Sequence, residues 1–202
     1  MKFLILSCTT FFICLFICSA QKISAQEPEK KTKCSALACF PKEIRVDSTD
    51  HLLSGISDFE YLFFDVYSAA LYFDARAPKA ERQFPLNGKN DLLLVIKYHR
   101  KISKKDFIKS TKAYISKLSE FGSNTNKQFE AVFNAYEDVK EGDSYALEYK
   151  SITQSTCLKL NGINKVCGDG LEFFKSYAGI WLAENGVGKD FLDGLLDTES
   201  ET

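Results

Sequence analysis

Apolar and polar positions change period several times along this chain. From Tyr61 to Tyr72 the order is Tyr-Leu-Phe-Phe-Asp-Val-Tyr-Ser-Ala-Ala-Leu-Tyr. Aromatic residues dominate and no Gly or Pro interrupts, which predicts one long strand with one or both faces covered. Asp91 to His99 predicts a second buried strand. The period then turns helical. Ser103-Lys-Lys-Asp106 matches a capping box, in which the serine oxygen accepts from a free backbone N–H and the acidic residue reaches back to the serine N–H. Phe107, Thr111, Tyr114, Ile115 and Leu118 follow at steps of three and four as one stripe, and Gly122 ends the helix. A second stripe runs through Phe129, Val132, Phe133 and Tyr136, and Glu141-Gly142-Asp143 turns the chain.

Strands return after that turn. Tyr145, Leu147 and Tyr149 alternate with Ala146, Glu148 and Lys150, the period of a half-buried strand. Cys157–Leu160, Asn161-Gly162 and Ile163–Cys167 predict a hairpin, since Asn-Gly tolerates the positive φ of a tight turn. Leu171 to Leu182, with Phe173, Phe174, Tyr177, Ile180 and Trp181, predicts a helix. A short last helix starts near Lys189 and carries Phe191, Leu192, Leu195 and Leu196. Strands, two helices, strands and two helices make the class α+β.

The ends read differently from the body. Lys2 precedes an apolar run from Phe3 to Cys18, followed by the small-residue exits Ser19-Ala20 and Ser24-Ala25. Those are the parts of a cleavable export signal over residues 1–20, with cleavage after Ala20 or Ala25. The run is shorter than the ~20 residues of a spanning helix. Cys18 follows an apolar triplet, but Ile17 stands where a lipoprotein signal carries a small residue, so the pattern favours release, periplasmic or extracellular, over a lipid anchor. Residues 21–39 read as a flexible leader holding the first cysteine pair, and 198–202 as an acidic tail.

The 26 basic and 27 acidic side chains nearly balance, and cleavage after Ala20 would remove Lys2 alone from that count. Nothing in that balance calls for nucleic acid. Of seven cysteines, Cys34, Cys39, Cys157 and Cys167 survive cleavage. An even number in an exported chain predicts disulfides, and four cysteines allow three connectivities. Closeness in sequence favours Cys34–Cys39 and Cys157–Cys167. A strict two-residue turn would set Cys157 opposite Val166, so the second bridge requires a longer loop or a bulge. No metal is expected: the spacings are not of the C-x-x-C kind, and His51 and His99 lie far from both pairs in sequence. There is no Gly-rich phosphate loop and no cofactor motif.

Four segments in order carry a family resemblance: Tyr61 to Tyr72; Leu94-Val-Ile-Lys-Tyr-His-Arg-Lys-Ile-Ser103 into the following helix; Val139 to Leu147 with Leu160-Asn-Gly162; and Phe173-Phe-Lys-Ser-Tyr-Ala-Gly-Ile-Trp-Leu182. Together, over about 40–197, they resemble the chalcone isomerase-like family, and most of all its exported bacterial members. The resemblance implies an open-faced β-sandwich, a large antiparallel sheet with helices packed on one face and a cleft between them. Family isomerases close a flavanone ring with an arginine, a threonine, a tyrosine and an asparagine; non-catalytic relatives hold a fatty-acid carboxylate with an arginine and a tyrosine. In both, a fixed cation stabilises an anion in an apolar pocket.

Here those positions hold other residues. Glu60 falls where the cation would sit, Tyr67 near the threonine, Phe107 near the tyrosine and Tyr114 near the asparagine. These four are the candidate ligand-binding residues, and no catalytic residue is assigned. Arg45, Lys97 or Arg100 is left to supply a substitute cation. The expected function is a non-catalytic binder of a small apolar molecule. The alternatives are an isomerase or intramolecular lyase using substituted residues, and a cell-envelope interaction protein. Against ligand roles, Tyr67, Tyr72, Phe107, Tyr114 and Trp181 all suit a plain core, and Arg100, Lys101, Lys104 and Lys105 suit a solvated face. His99 has no recognisable Ser or Cys partner in sequence, so no catalytic triad is expected.

Overall fold

A computed structural model describes residues 31–118 and 122–196. The expected signal segment, its cleavage positions and the acidic tail lie outside the described residues. The scaffold is a seven-stranded antiparallel meander in which each strand pairs with its neighbour in chain order. Its strands are β3 (Glu43–Val46), β4 (Thr49–Tyr61), β5 (Phe64–Asp74), β6 (Leu92–Tyr98), β7 (Ser144–Lys150), β8 (Ser155–Leu160) and β9 (Ile163–Asp169). Two short strands, β1 (Thr32–Cys34) and β2 (Cys39–Pro41), form a separate hairpin. A four-residue helix, α1 (Lys79–Arg82), lies between β5 and β6. Helices α2 (Lys104–Ile115) and α3 (Ser123–Ala135) connect β6 to β7, and α4 (Leu171–Leu182) and α5 (Lys189–Leu196) follow β9.

Side chains alternate across each strand, so the register sorts them into two faces. Tyr67, Leu71 and Phe73 of β5 lie opposite Tyr98, Leu94 and Leu92 of β6, and Ile96 and Leu94 lie opposite Tyr145 and Leu147 of β7. These rows meet Phe129, Val132, Phe173, Phe174, Tyr177 and Phe191 of the helices in the main core. The odd-and-even partners Ala70, Tyr72 and Leu93 face the other way and are covered by Ala38 and Phe40. The α+β sandwich with helices on one face is therefore as expected, with a small second cluster behind the sheet.

The start of α2 follows its cap. Ser103 Oγ accepts from Asp106 N at 3.2 Å and donates to its carboxylate at 2.7 Å, which satisfies one free donor of the first turn. The acidic residue of the box reaches the serine hydroxyl here. That contact also holds the exposed Asp106 carboxyl below its usual range.

Two expectations need correction, and a third is met by the second of its two routes. The stretch Tyr61–Tyr72 is not one strand: β4 ends at Tyr61 and β5 begins at Phe64, joined by a two-residue turn. Leu62 and Phe63 adopt φ values of 50° and 67°, a left-handed conformation that such side chains rarely take, so no turn residue announced it. Of the expected 21–39 leader, residues 21–30 lie outside the described residues, and Thr32 to Cys39 is not a flexible leader but part of the β1–β2 hairpin, because Cys34–Cys39 closes it and Ala38 and Phe40 bury against the sheet. The Cys157–Cys167 bridge forms across a two-residue Asn161-Gly162 turn, and the register is restored by a bulge between Leu158 and Lys159.

Both expected bridges are thus present. Replacing Cys157 and Cys167 together by alanine frees a loop of sequence separation 10 in the unfolded chain. Urea titration is expected to register a loss of roughly 2–3 kcal/mol.

Candidate functional site

The strands and helices bring a group of phenol and phenyl rings together between the two layers. Tyr67, Tyr98 and Tyr145 point from β5, β6 and β7 to the helix side, and Phe107 of α2 lies 5.5 Å from the Tyr98 ring and 5.4 Å from that of Tyr145. Tyr136, just past α3, stacks on Phe107 at 5.3 Å. At the β4 side Phe59 stacks on Tyr67 at 5.0 Å, and Phe191 of α5 meets both edge-on. Offset and edge-on contacts of this kind suit the ring quadrupoles.

Hydroxyls thread the same region. Tyr136 Oη lies 3.0 Å from both Thr111 Oγ1 and Tyr177 Oη, and Tyr145 Oη accepts from Glu137 N at 2.9 Å. Burial raises every one of these phenols. Tyr136 is pushed up to about 12, an effect offset in part by its bonds to Thr111 and Tyr177. Tyr98 and Tyr177 stand well above the ordinary value, and desolvation raises Tyr67 despite a hydrogen bond with Trp181. All are protonated at neutral pH, so the site offers neutral donors and acceptors and holds no phenolate base.

The four candidate residues divide. Tyr67 and Phe107 touch the same Tyr98 ring. Tyr114 is buried on the same face of α2 as Thr111 and points at α4, where a Cβ on Gly179 would come 2.6 Å from its hydroxyl. Glu60 stands apart, exposed and opposite Asp65 near the end of the β4–β5 hairpin. None of the three cations offered from sequence reaches the rings. Arg45 pairs with Asp50 at 3.5 Å, Lys97 lies over Phe40 behind the sheet, and Arg100 lies over Phe64. Sequence reading placed Thr111, Tyr136, Tyr145 and Tyr177 on buried stripes but missed that the hydroxyls of Thr111, Tyr136 and Tyr177 converge. The contact crosses three elements distant in sequence, which periodicity does not report.

A second constellation lies behind the sheet. His99, expected to lack a serine partner, has one: its Nε2 is 2.8 Å from Ser68 Oγ, which donates a short hydrogen bond to Asp58. The strand register brings them together from remote positions. The order is not that of a catalytic triad, because the serine sits between the histidine and the carboxylate. Its proton goes to Asp58, so His99 Nε2 is the donor and cannot serve as its base. Ser68 is fully buried, and Ser35 of the β1–β2 hairpin also donates to Asp58 at 2.8 Å. The arrangement fastens the hairpin. A polar depression lined by Asp47, Thr49, His51, Asp91, Glu148 and Lys150 opens at the opposite end of β4 from the Leu62-Phe63 turn.

A family model described as chalcone isomerase-like matches residues 35–197. No curated protein matches the chain by sequence. Among solved structures, the chain is similar to a fatty-acid binding protein of Arabidopsis thaliana, with TM-score 0.63 and 14% identity over 83% of this chain and 96% of that one. At that identity the likeness is one of fold.

Two outcomes test this geometry. Gly179→Ala gains up to about 1 kcal/mol of helix propensity but drives a methyl into Tyr114, and overpacking costs typically 1–3 kcal/mol. A net loss of stability is expected in urea, with Gly179→Ala in a Tyr114→Phe background losing less. The buried phenols also set an alkaline limit. The unfolded phenol ionises near its ordinary 10.0 and Tyr136 only at about 12. The phenols' contribution to stability is therefore level below pH 10 and falls as pH rises from 10 toward 12, which thermal melts across that window would follow.

Proposed function

The chain belongs to the chalcone isomerase-like family, and on that premise we propose that it is a non-catalytic binder of a small apolar molecule, held between the sheet and the helices. The observation that carries the reading is the meeting of Tyr67, Tyr98, Phe107, Tyr136 and Tyr145: ring faces for an apolar body and protonated hydroxyls for one polar atom. The Arabidopsis relative, by its title a fatty-acid binder, supports it as a fold precedent. The rings pack against one another, so entry requires a cover to move. Helix α5 is that cover. It is eight residues long, follows Gly188 at φ 145°, and lays Phe191 over Phe59 and Tyr67.

Without a cation at the rings, a carboxylate head loses its charge-assisted partner and gains only what a neutral donor gives. The ligand class is accordingly an uncharged or weakly polar amphiphile. A catalytic role is disfavoured because protonated phenols provide no base, and the sequence resemblance sets Glu60 and Tyr67 where the family carries its arginine and threonine.

Export is part of the proposal. It is supported by the charged, apolar and small-residue succession of residues 2–25 and by two disulfides, which persist in oxidising compartments. Among the described residues no helix is long and apolar enough to cross a membrane.

Calorimetric titration with palmitate and with hexadecanol tests the binding. Hexadecanol is expected to bind at least about tenfold more tightly than palmitate, since a carboxylate buried without a cation keeps its desolvation cost. Palmitate binding more than tenfold tighter would reveal a cation in the site and sink the uncharged-ligand reading. Binding of neither up to its solubility limit would sink the ligand reading altogether.

A further inference from the structure

The β4–β5 hairpin overshoots the sheet. Strand β6 pairs with β5 only from Tyr67 onward, so residues 61–64 project past it. Tyr61, Leu62, Phe63 and Phe64 are 62%, 66%, 99% and 58% exposed. Among the described residues the other large exposed apolar side chains, Leu37, Phe84, Ile152 and Ile163, are scattered singly along the chain, which is ordinary for a protein surface. Four in succession at one projecting tip are not.

The turn's backbone does not account for this choice of residues. At the β8–β9 turn the same chain meets the same need for two positive φ angles with Asn161-Gly162, at 49° and 81°. At the β4–β5 turn it uses Leu62-Phe63 at 50° and 67°. That costs backbone strain, and the fold gains little packing from side chains this exposed. A use outside the fold remains as the reason.

The surroundings point to the occupant. The tip projects past the end of β6 and carries its side chains into solvent. Aromatic Tyr61 and Phe64 form its shoulders, and the Arg100 guanidinium lies 4.8 Å over the Phe64 ring. Lys101 and Lys105 are exposed in the segment that follows, while Glu60 and Asp65 lie on the hairpin stem behind the tip. An apolar apex, aromatic shoulders and a basic flank match the acyl region, the interface and the anionic head groups of a bilayer, in that order. We propose that the Tyr61–Phe64 tip seats this protein on a lipid bilayer, with anionic lipid strengthening the contact. Phe59 and Tyr67, which stack on each other at 5.0 Å, lie just behind the tip on the same two strands. Docking would place that edge of the ring cluster at the lipid surface.

The test uses the full chain and ligand-free vesicles of phosphatidylcholine with or without phosphatidylglycerol. Phe63→Trp adds a reporter at the apex, and the wild type, whose single tryptophan is Trp181, supplies the background. Apex emission is expected to shift blue and to be quenched by brominated lipid, most strongly with phosphatidylglycerol. The double substitution Leu62→Asn, Phe63→Gly copies the chain's own β8–β9 turn and keeps the hairpin folded. It should weaken vesicle binding about tenfold, and Arg100→Glu with Lys101→Glu should remove the preference for anionic vesicles. An unshifted apex tryptophan at saturating lipid overturns the proposal, even if the chain sediments with vesicles through its apolar leader. A blue shift that grows with protein concentration and needs no lipid also overturns it, in favour of a second copy. Because no ligand enters these measurements, their failure leaves the ligand reading standing.

Discussion

Strand β5 is buried on both faces from Tyr67 to Phe73, and its register against β4 and β6 decides what each face contains. Tyr67 points to the helices and enters the ring cluster. Ser68 points the other way and closes the link between Asp58 and His99. A slip of one residue would bury a serine among phenyl rings and send a tyrosine under the β1–β2 hairpin. Neither arrangement has partners for its polar atoms, so the register is held from both sides at once. The ring cluster, the fastening of the hairpin and the overshooting tip all follow from that one alignment.

The same alignment explains how much the sequence revealed. Helix α4 could be read to its residue limits because Leu171–Leu182 is apolar, periodic and bounded by glycine and a polar break. Strand β7 was legible through the alternation of Tyr145, Leu147 and Tyr149. The β4–β5 hairpin was not. Its turn residues are bulky and apolar, so the usual chemical mark of a turn was absent and two strands merged into one expected strand. Half of β4 was equally silent, since Asp50, His51, Ser54, Ser57 and Asp58 carry no clean period of two. Ser54 and Ser57 lie against α5 and Asp58 meets the β1–β2 hairpin, contacts that no local pattern announces. The candidate residues met a similar limit. Tyr67 and Phe107 touch the same Tyr98 ring, whereas Glu60 lies exposed on the part of β4 that runs past the end of β6.

Charge distribution separates this chain from the chemistry of a cation-centred cleft. Arg45, Lys97 and Arg100 each satisfy a local partner, a carboxylate or a ring, away from the phenols. The interior relies instead on hydroxyls that burial keeps protonated. Such groups hydrogen-bond without carrying net charge, so they spare the desolvation cost that an unpaired arginine would incur at the same depth. The interior gains polarity with little electrostatic field, a setting that receives molecules more readily than it polarises them.

The two bridges have a further consequence for how the chain is oxidised after synthesis. Each joins the two arms of one hairpin, with Cα atoms 4.0 Å and 4.1 Å apart and sequence separations of only 5 and 10. Crossed pairings would have to close loops spanning most of the domain. Loop-closure statistics favour the short loops by factors on the order of ten to a hundred. The thiols therefore sort themselves by proximity while the rest of the chain is still unfolded, and correct oxidation needs neither the finished sheet nor a catalyst of reshuffling.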